Sequence, residues 1–229
     1  MSAERQAYRK KHERLAIFLS ERVIHMDLLL TQRDKVRRVI RRRRRLGLDR
    51  KDEVWNGRYI VMPDPDNQHQ VFVTELVFLL TLVVTRVGLG RAYAGGNISS
   101  REDKWTSNYR VPDVTVFLND NPAEDRGTHW LGGPDLAVEI VSDNDKSRKK
   151  LDFYASVGTR ELLIVDRDPW QIELFRLTND ELVSVGQSTI ANGHTLTSEV
   201  VPLTFRLIAG ATRPQIETQH SDGVQRWTI

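Results

Sequence analysis

The stretch "PDLAVEIVSDNDKSRKKLDFYASVGTRELLIVD", residues 134–166, has the pattern of a strand, a helix and a second strand. Leu136–Ser142 is apolar apart from Glu139 and the terminal Ser142, Lys146–Val157 has helical spacing that stops at Gly158, and "RELLIVD" has an apolar centre. This order predicts a helical crossover between two buried strands of one sheet.

The flanking segments add hairpins and a long helix. Asn56-Gly57 lies between "DEVW" and "RYIVMP" and is a strong two-residue hairpin signal. His69 to about Val87 has a helical pattern, and "GRAYAGG" and "YRVPDVTVFLND" are typical of strands. "PWQIELFRL" and "ELVSV" predict a hairpin around Thr178–Asp180, followed by an edge strand, a loop and a short tail. We therefore expect an α/β fold of the α+β type, with a central mixed β-sheet flanked by helices.

Composition narrows the class of protein. The 229 residues allow one sizeable domain and an appendage, and the lack of cysteine excludes disulfides and thiolate metal sites. The N-terminus lacks the apolar core of a signal peptide. The most apolar stretch, "VFVTELVFLLTLVVTRVG", contains Glu75 and predicts a buried helix rather than a membrane span. We expect a cytoplasmic protein without a membrane partner.

Charge is distributed unevenly along the chain. Residues 1–50 contain 16 Lys and Arg against 6 Asp and Glu, whereas residues 51–229 contain 18 against 25. Residues 4–46 lack Gly and Pro and carry apolar residues at helical spacing, so we predict a basic helical extension over residues 1–48 and a second domain over 49–229. The extension ends in five arginines, Arg41, Arg42, Arg43, Arg44 and Arg45. They are interpreted either as contacts to nucleic-acid phosphates or as a solvated, cation-rich last helical turn.

Two carboxylates interrupt otherwise apolar strands. Glu139 lies in the middle of its strand, on the face opposite Leu136, Val138 and Ile140, and a buried carboxylate needs a cation, a hydrogen-bond donor or a metal. Asp113 opens the strand in "RVPDVTVFL". If the two strands are neighbours, both carboxylates and the Ile140 carbonyl form an oxygen-rich site suited to Mg²⁺ or Mn²⁺. With a lysine nearby, such a site suits hydrolysis of phosphodiesters.

More ordinary interpretations of these residues remain open. Asp113 follows a proline and is equally typical of a turn. Glu139 is also compatible with a structural ion pair to Arg110 or Lys150. Tyr154 and Trp170 are interpreted as packing residues.

The combination "RVPDV…PDLAVEIVS…KKLDFYASVGTRELLIVD" resembles the restriction endonuclease-like family of bacterial proteins, a domain of unknown function within the PD-(D/E)XK nuclease superfamily. The resemblance covers roughly residues 49–205 and implies a restriction endonuclease-like core. It implies that Asp113 is the acid of the "PD" element and Glu139 the acid of the "(D/E)XK" element. Val141 stands where the formula has lysine, and the family places that lysine on the following helix, which implies Lys150, with Lys149 in reserve.

The resemblance also implies accessory residues on the first helix. The family has a pattern similar to "EHQ" near the start of this helix, where this sequence has Gln68-His69-Gln70. Gln68 carries no charge, His69 is suited to orienting a water or touching the outer shell of a metal, and Glu75 is an alternative acid.

These observations lead to three hypotheses. The first is a Mg²⁺- or Mn²⁺-dependent endonuclease acting on DNA as a homodimer, with RNA left open as a substrate. The catalytic residues would be Asp113, Glu139 and Lys150, and the metal ligands Asp113, Glu139 and the Ile140 carbonyl. The second is a catalytically weak or inactive nucleic-acid-binding protein with the same fold. The third makes residues 1–48 an oligomerisation arm.

Overall fold

A computed structural model describes residues 33–142 and 146–229. The helices predicted between residues 4 and 32 therefore lie outside the described residues. The chain divides into two compact units between Leu46 and Gly47. In the first unit, helix α1 (Arg33–Arg45) ends with four consecutive arginines in its last turn.

The second unit holds all the strands of the described residues and two α-helices. The helices are α2 (Asn67–Leu80), which continues as a π-helix over Thr81–Thr85, and α3 (Leu151–Ser156), which follows a 3-10 turn at Ser147–Lys150. The strands are β1 (Glu53–Trp55), β2 (Arg58–Ile60), β3 (Gly90–Ala94), β4 (Ile98–Ser99), β5 (Tyr109–Arg110), β6 (Val114–Leu118), β7 (Glu124–Asp125), β8 (Trp130–Leu131), β9 (Leu136–Ile140), β10 (Glu161–Arg167), β11 (Trp170–Thr178), β12 (Glu181–Ser188), β13 (Leu196–Thr197), β14 (Leu203–Ile208), β15 (Gln215–His220) and β16 (Arg226–Thr228).

Six strands form the central sheet in the order β12-β11-β10-β9-β6-β3. Strands β9 and β10 are parallel and joined by the crossover that contains α3, whereas the other neighbouring pairs are antiparallel. The expected mixed sheet and helical crossover are confirmed. The pairing of β6 with β9 places Val114 opposite Val138. Asp113 and Glu139, which are the chain neighbours of these two valines, are thereby brought to adjacent strands.

Both faces of the central sheet are covered. Leu136, Val138 and Ile140 of β9 pack on the side of α2, together with the C-terminal strands. On the other side, Ala137 packs against Phe153 and Tyr154 of α3 and against Ile98 of the smaller sheet. All five residues of β9 are therefore buried, and Glu139 keeps only 3% of its surface exposed.

Local turn signals are confirmed at both hairpins. Asn56 and Gly57 have φ values of 48° and 84°, the left-handed conformation of a two-residue turn, and join β1 to β2. Asn179 and Asp180 have φ values of 50° and 64° and join β11 to β12. β1 and β2 belong to a small sheet with the order β2-β1-β5-β4-β8-β7.

The C-terminal region differs from its prediction. Instead of an edge strand, a loop and a tail, β13 to β16 form a four-stranded antiparallel sheet. Phe205, Leu207 and Ile216 of this sheet are buried in the core on the α2 side. The alternation in β14 is clear, but β13 and β16 are only two and three residues long, too short for a period of two to stand out.

Candidate active site

Asp113 lies at the break between β5 and β6, directly after Pro112. Its backbone N–H donates to the Val138 carbonyl, and its Oδ2 accepts from the backbone N–H of Ile140 at 2.9 Å. Oδ2 also lies 3.1 Å from Nε2 of His69, and Oδ1 lies 3.2 Å from Nζ of Lys51. Asp113 is thus a buried carboxylate held against β9, rather than only a turn residue.

Glu139 is paired with Lys150, the last residue of the 3-10 turn that precedes α3. Nζ of Lys150 lies 2.9 Å from each carboxylate oxygen of Glu139, and the Tyr154 hydroxyl donates to Oε1. The interpretation of Tyr154 as a packing residue is incomplete, because its hydroxyl adds this polar contact. Arg110, the alternative ion-pair partner, instead donates to the carbonyls of Val54 and Tyr109 and to the Asn108 side chain.

Glu53, at the start of β1, completes this cluster and was not predicted. Its Oε1 accepts from Nζ of Lys150 at 2.9 Å and from the Val111 backbone N–H at 2.9 Å, while Oε2 accepts from the indole N–H of Trp55 at 2.6 Å. Its side chain is fully buried. An acid at the first position of a three-residue strand is ordinary in sequence, so no local pattern marked Glu53.

The carboxyl groups of Asp113 and Glu139, which line the same pocket, have opposite pKa shifts. Burial opposes ionisation of Asp113, but His69, Lys51 and the Ile140 N–H together lower its pKa to about 2. Burial raises the pKa of Glu139 to about 8, and the charges of Glu53 and Asp113 add to this against the effect of Lys150 and Tyr154. Glu139 therefore holds a proton up to about pH 8, whereas Asp113 is ionised at neutral pH.

One small pocket, with a cavity volume of about 30 Å³, lies at these groups. Its lining consists of Lys51, Met62, Pro63, Pro65, His69, Val111, Asp113, Glu139, Ile140, Ser142 and Lys150. The described residues contain no cluster of three or more His, Cys, Asp or Glu that could hold a metal ion. Mg²⁺, however, is commonly held by one or two carboxylates and completes its shell with water and substrate oxygens. The donor set of two carboxylates in one pocket fits this ion.

Comparison with known proteins identifies the family. The sequence profile of the Uma2 family, described as "Putative restriction endonuclease", matches residues 42–209. The chain belongs to the Uma2 family. The match covers most of the chain, including β1, α2, the Pro112-Asp113 element, Glu139 and Lys150, so the resemblance seen in the sequence is confirmed.

A solved structure similar to this Uma2 protein supports the restriction endonuclease-like fold. It is described as a putative nuclease belonging to DUF820 from Anabaena variabilis ATCC 29413, with a TM-score of 0.50 and 20% sequence identity. The alignment covers 64% of this chain and 80% of that chain. No curated protein matches. Membership of the Uma2 family indicates a nuclease.

Three predicted accessory residues of this Uma2 protein do not line the pocket. Gln68 accepts a hydrogen bond from Arg167, and Glu75 is exposed. Glu75 is six residues after His69 on α2, and about 100° of rotation per residue places it about 120° around the helix from His69. Lys149 is exposed because it points away from its neighbour Lys150, whereas His69 lines the pocket.

The arginine run and the apolar helix complete the predicted features. Arg41, Arg42, Arg44 and Arg45 are exposed and Arg43 is partly buried at the end of α1.

Within the described residues, the helical segment Asn67–Thr85 is long and apolar enough to cross a membrane by length and composition. Core helices meet the same criterion, and Phe72, Leu76 and Leu80 of this segment are buried against the central sheet.

Proposed function

We propose that this protein is a Mg²⁺- or Mn²⁺-dependent endonuclease that hydrolyses phosphodiester bonds of DNA. The observation that carries the proposal is the meeting of Asp113 and Glu139 at one pocket, with Lys150 bridging Glu139 to Glu53. Membership of the Uma2 family supports nuclease chemistry. The metal and the DNA substrate are proposals.

The residues present define what a metal would do here. Asp113 and Glu139, with the backbone carbonyl of Ile140, would hold the ion, which when bound supplies Lewis-acid stabilisation of charge on the phosphate. In the hydrolysis, a water oxygen bonds to phosphorus while the bond to the leaving ester oxygen breaks. The water loses a proton and the leaving oxygen gains one, which yields a phosphomonoester and an alcohol.

The chain's own groups prepare the two carboxylates for this reaction. His69 and the Ile140 N–H fix the orientation of Asp113 and favour its ionised form. Lys150 and Tyr154 fix Glu139 and compensate part of the cost of burying its charge. Lys150 has no exposed side-chain surface, and its three short contacts are all to carboxylate oxygens. Its role in this arrangement is to hold Glu139 rather than to deprotonate water.

Cleavage of supercoiled plasmid in Mg²⁺ tests the proposal. Asp113→Asn and Glu139→Gln keep the side-chain shape and are expected to lower the rate by at least about 100-fold, since each removes a metal-binding charge. Asp120→Asn is the matched control, because Asp120 is an exposed acid just beyond the other end of β6. Equal rates for the wild type and both site variants would refute the assignment.

A nucleic-acid-binding protein without catalysis is the second candidate. It is favoured by the complete pairing of Lys150 with carboxylates and by an uncharged Gln68 near the start of α2. Salt-dependent binding to DNA or RNA by a wild type that cleaves neither in Mg²⁺ nor in Mn²⁺ would establish it.

We also propose that the active form is a homodimer, since cutting both strands of a duplex takes two active sites. The mass of the protein–DNA complex in Ca²⁺, measured by light scattering, distinguishes one copy from two.

A further inference from the structure

Two lysines line the candidate active site, and their surroundings differ. Lys150 is completely buried, and its amine lies within 2.9 Å of three carboxylate oxygens, one from Glu53 and two from Glu139. Lys51 has 35% of its side chain exposed, and its amine lies 3.2 Å from a single carboxylate oxygen, Oδ1 of Asp113. Of these two lysines, only Lys51 combines contact with the site and access to solvent.

Lys51 and Lys150 also differ in the number of hydrogen-bond donors that their contacts already use. An ammonium group has three N–H donors. In Lys150 the three short carboxylate contacts take up this capacity, and a substrate phosphate would have to displace a buried carboxylate to reach it. The contact to Asp113 uses one donor of Lys51 and leaves capacity for an anion that enters the pocket.

We propose that Lys51 is the residue that contacts the scissile phosphate, while Lys150 remains an internal counter-ion. This inference rests on the proposed nuclease function and assigns the substrate-contacting lysine to the segment before β1 instead of the crossover between β9 and β10. Lys51 precedes Glu53 by two residues, so one short segment supplies both the lysine that meets substrate and the acid that retains Lys150.

The physical reason is charge development during hydrolysis. Negative charge grows on the phosphate oxygens as the water bonds to phosphorus, and a cation already placed at the site stabilises that charge without reorganisation. The Lys51 amine is held at the pocket by Asp113, on a long stem that leaves part of the side chain in solvent. It therefore lies at the pocket with N–H donors available to a phosphate oxygen.

The test compares Lys51→Met with Lys51→Arg and the control Lys104→Met at saturating Mg²⁺. Lys104 is exposed and lies outside the lining of the pocket. We expect Lys51→Met to lower kcat/KM for plasmid cleavage by about 100-fold, as for loss of one transition-state donor, and Lys51→Arg to recover most of it. Lys104→Met keeps the wild-type rate. Thermal melting checks that each variant is folded.

A second measurement distinguishes a direct contact between Lys51 and the substrate from a role of Lys51 that is limited to its ion pair with Asp113. DNA affinity in Ca²⁺ is measured against salt concentration, and Lys51→Met is expected to reduce the slope of log K against log salt by about 1. If Lys51 only neutralises Asp113 in the metal-free site, Lys51→Met binds Mg²⁺ more tightly and cleaves at the wild-type rate. That result overturns the proposal.

Failure of the proposed function gives a different pattern. In that case the wild type itself does not cleave, and the binding measurement alone decides the role of Lys51. A reduced slope for Lys51→Met supports a phosphate contact, whereas identical affinity and slope for wild type and Lys51→Met, or no binding by either, overturns it.

Discussion

Lys150 and Glu53, 97 residues apart in the chain, form an ion pair that water does not reach. The same amine bridges to Glu139, so β1 of the small sheet, β9 of the central sheet and the crossover segment meet at one nitrogen atom. A buried cation between two carboxylates must be fully compensated, because an unpaired charge is costly in the protein interior. The site therefore depends on the correct docking of the β1–β2 hairpin.

Removing Glu53 alone is expected to destabilise the protein strongly. Glu53→Ala leaves the buried Lys150 short of one carboxylate and is expected to lower the free energy of unfolding by about 3–5 kcal/mol. Chemical denaturation measures this change. Glu181→Ala, at an exposed position on β12, is the control and is expected to stay within about 0.5 kcal/mol of the wild type.

The double variant Glu53→Gln/Lys150→Met isolates the ion pair from general packing. It removes both charges of the pair and is expected to be more stable than Lys150→Met alone, which leaves two buried carboxylates facing each other. The cycle is completed by the single variants Glu53→Gln and Lys150→Met. If the loss in free energy of unfolding of the double variant equals the sum of the two single losses, the ion pair contributes no coupling.

Mg²⁺ binding is expected to strengthen as pH rises towards 8. The pKa of Glu139 is raised to about 8, so below that pH a proton occupies the carboxylate that the metal requires. One proton is then released per ion bound, and log K rises by about 1 per pH unit up to pH 8 before it levels off. Asp113, with its pKa lowered to about 2, stays ionised throughout. Isothermal titration calorimetry from pH 6 to 9 measures the profile, and a constant affinity over this range would contradict it.

Tyr154→Phe is expected to shift this profile to higher pH. The Tyr154 hydroxyl donates to Glu139 and helps to lower the pKa of that carboxyl, so its loss raises the pKa further. The pH at which Mg²⁺ affinity levels off is then higher than in the wild type. Tyr59→Phe removes a comparable hydroxyl–carboxylate contact, to Asp52 outside the pocket, and is expected to leave the profile unchanged.

The arginine run at the end of α1 is expected to contribute to affinity without taking part in chemistry. Replacing Arg41–Arg45 with glutamine removes five cations and is expected to flatten the salt dependence of DNA binding by up to about 4–5 units of slope. The cleavage rate at saturating DNA stays near that of the wild type. An unchanged slope would instead support the solvated helical turn, and a changed mass of the free protein would support an oligomerisation arm.

Much of the fold follows from local sequence, as the hairpins show. Asn56-Gly57 and Asn179-Asp180 accept positive φ angles, so their turns are specified by two residues each. The order of apolar strand, helix and apolar strand around Glu139 likewise predicts the parallel β9–β10 pair. Asp113 and Glu139 were recognised because each carries charge inside an apolar strand.

Only the tertiary structure decided how these charges are compensated. The sequence by itself determined the strands of the central sheet, the crossover and the two carboxylates, because backbone preference and side-chain alternation act over a few residues. It did not reveal that Glu53 and Lys150 pair, that Lys51 rather than Lys150 faces solvent, or that β13–β16 form a sheet. Those features arise from contacts between residues far apart in the chain, where burial selects the partner and no local pattern records the choice.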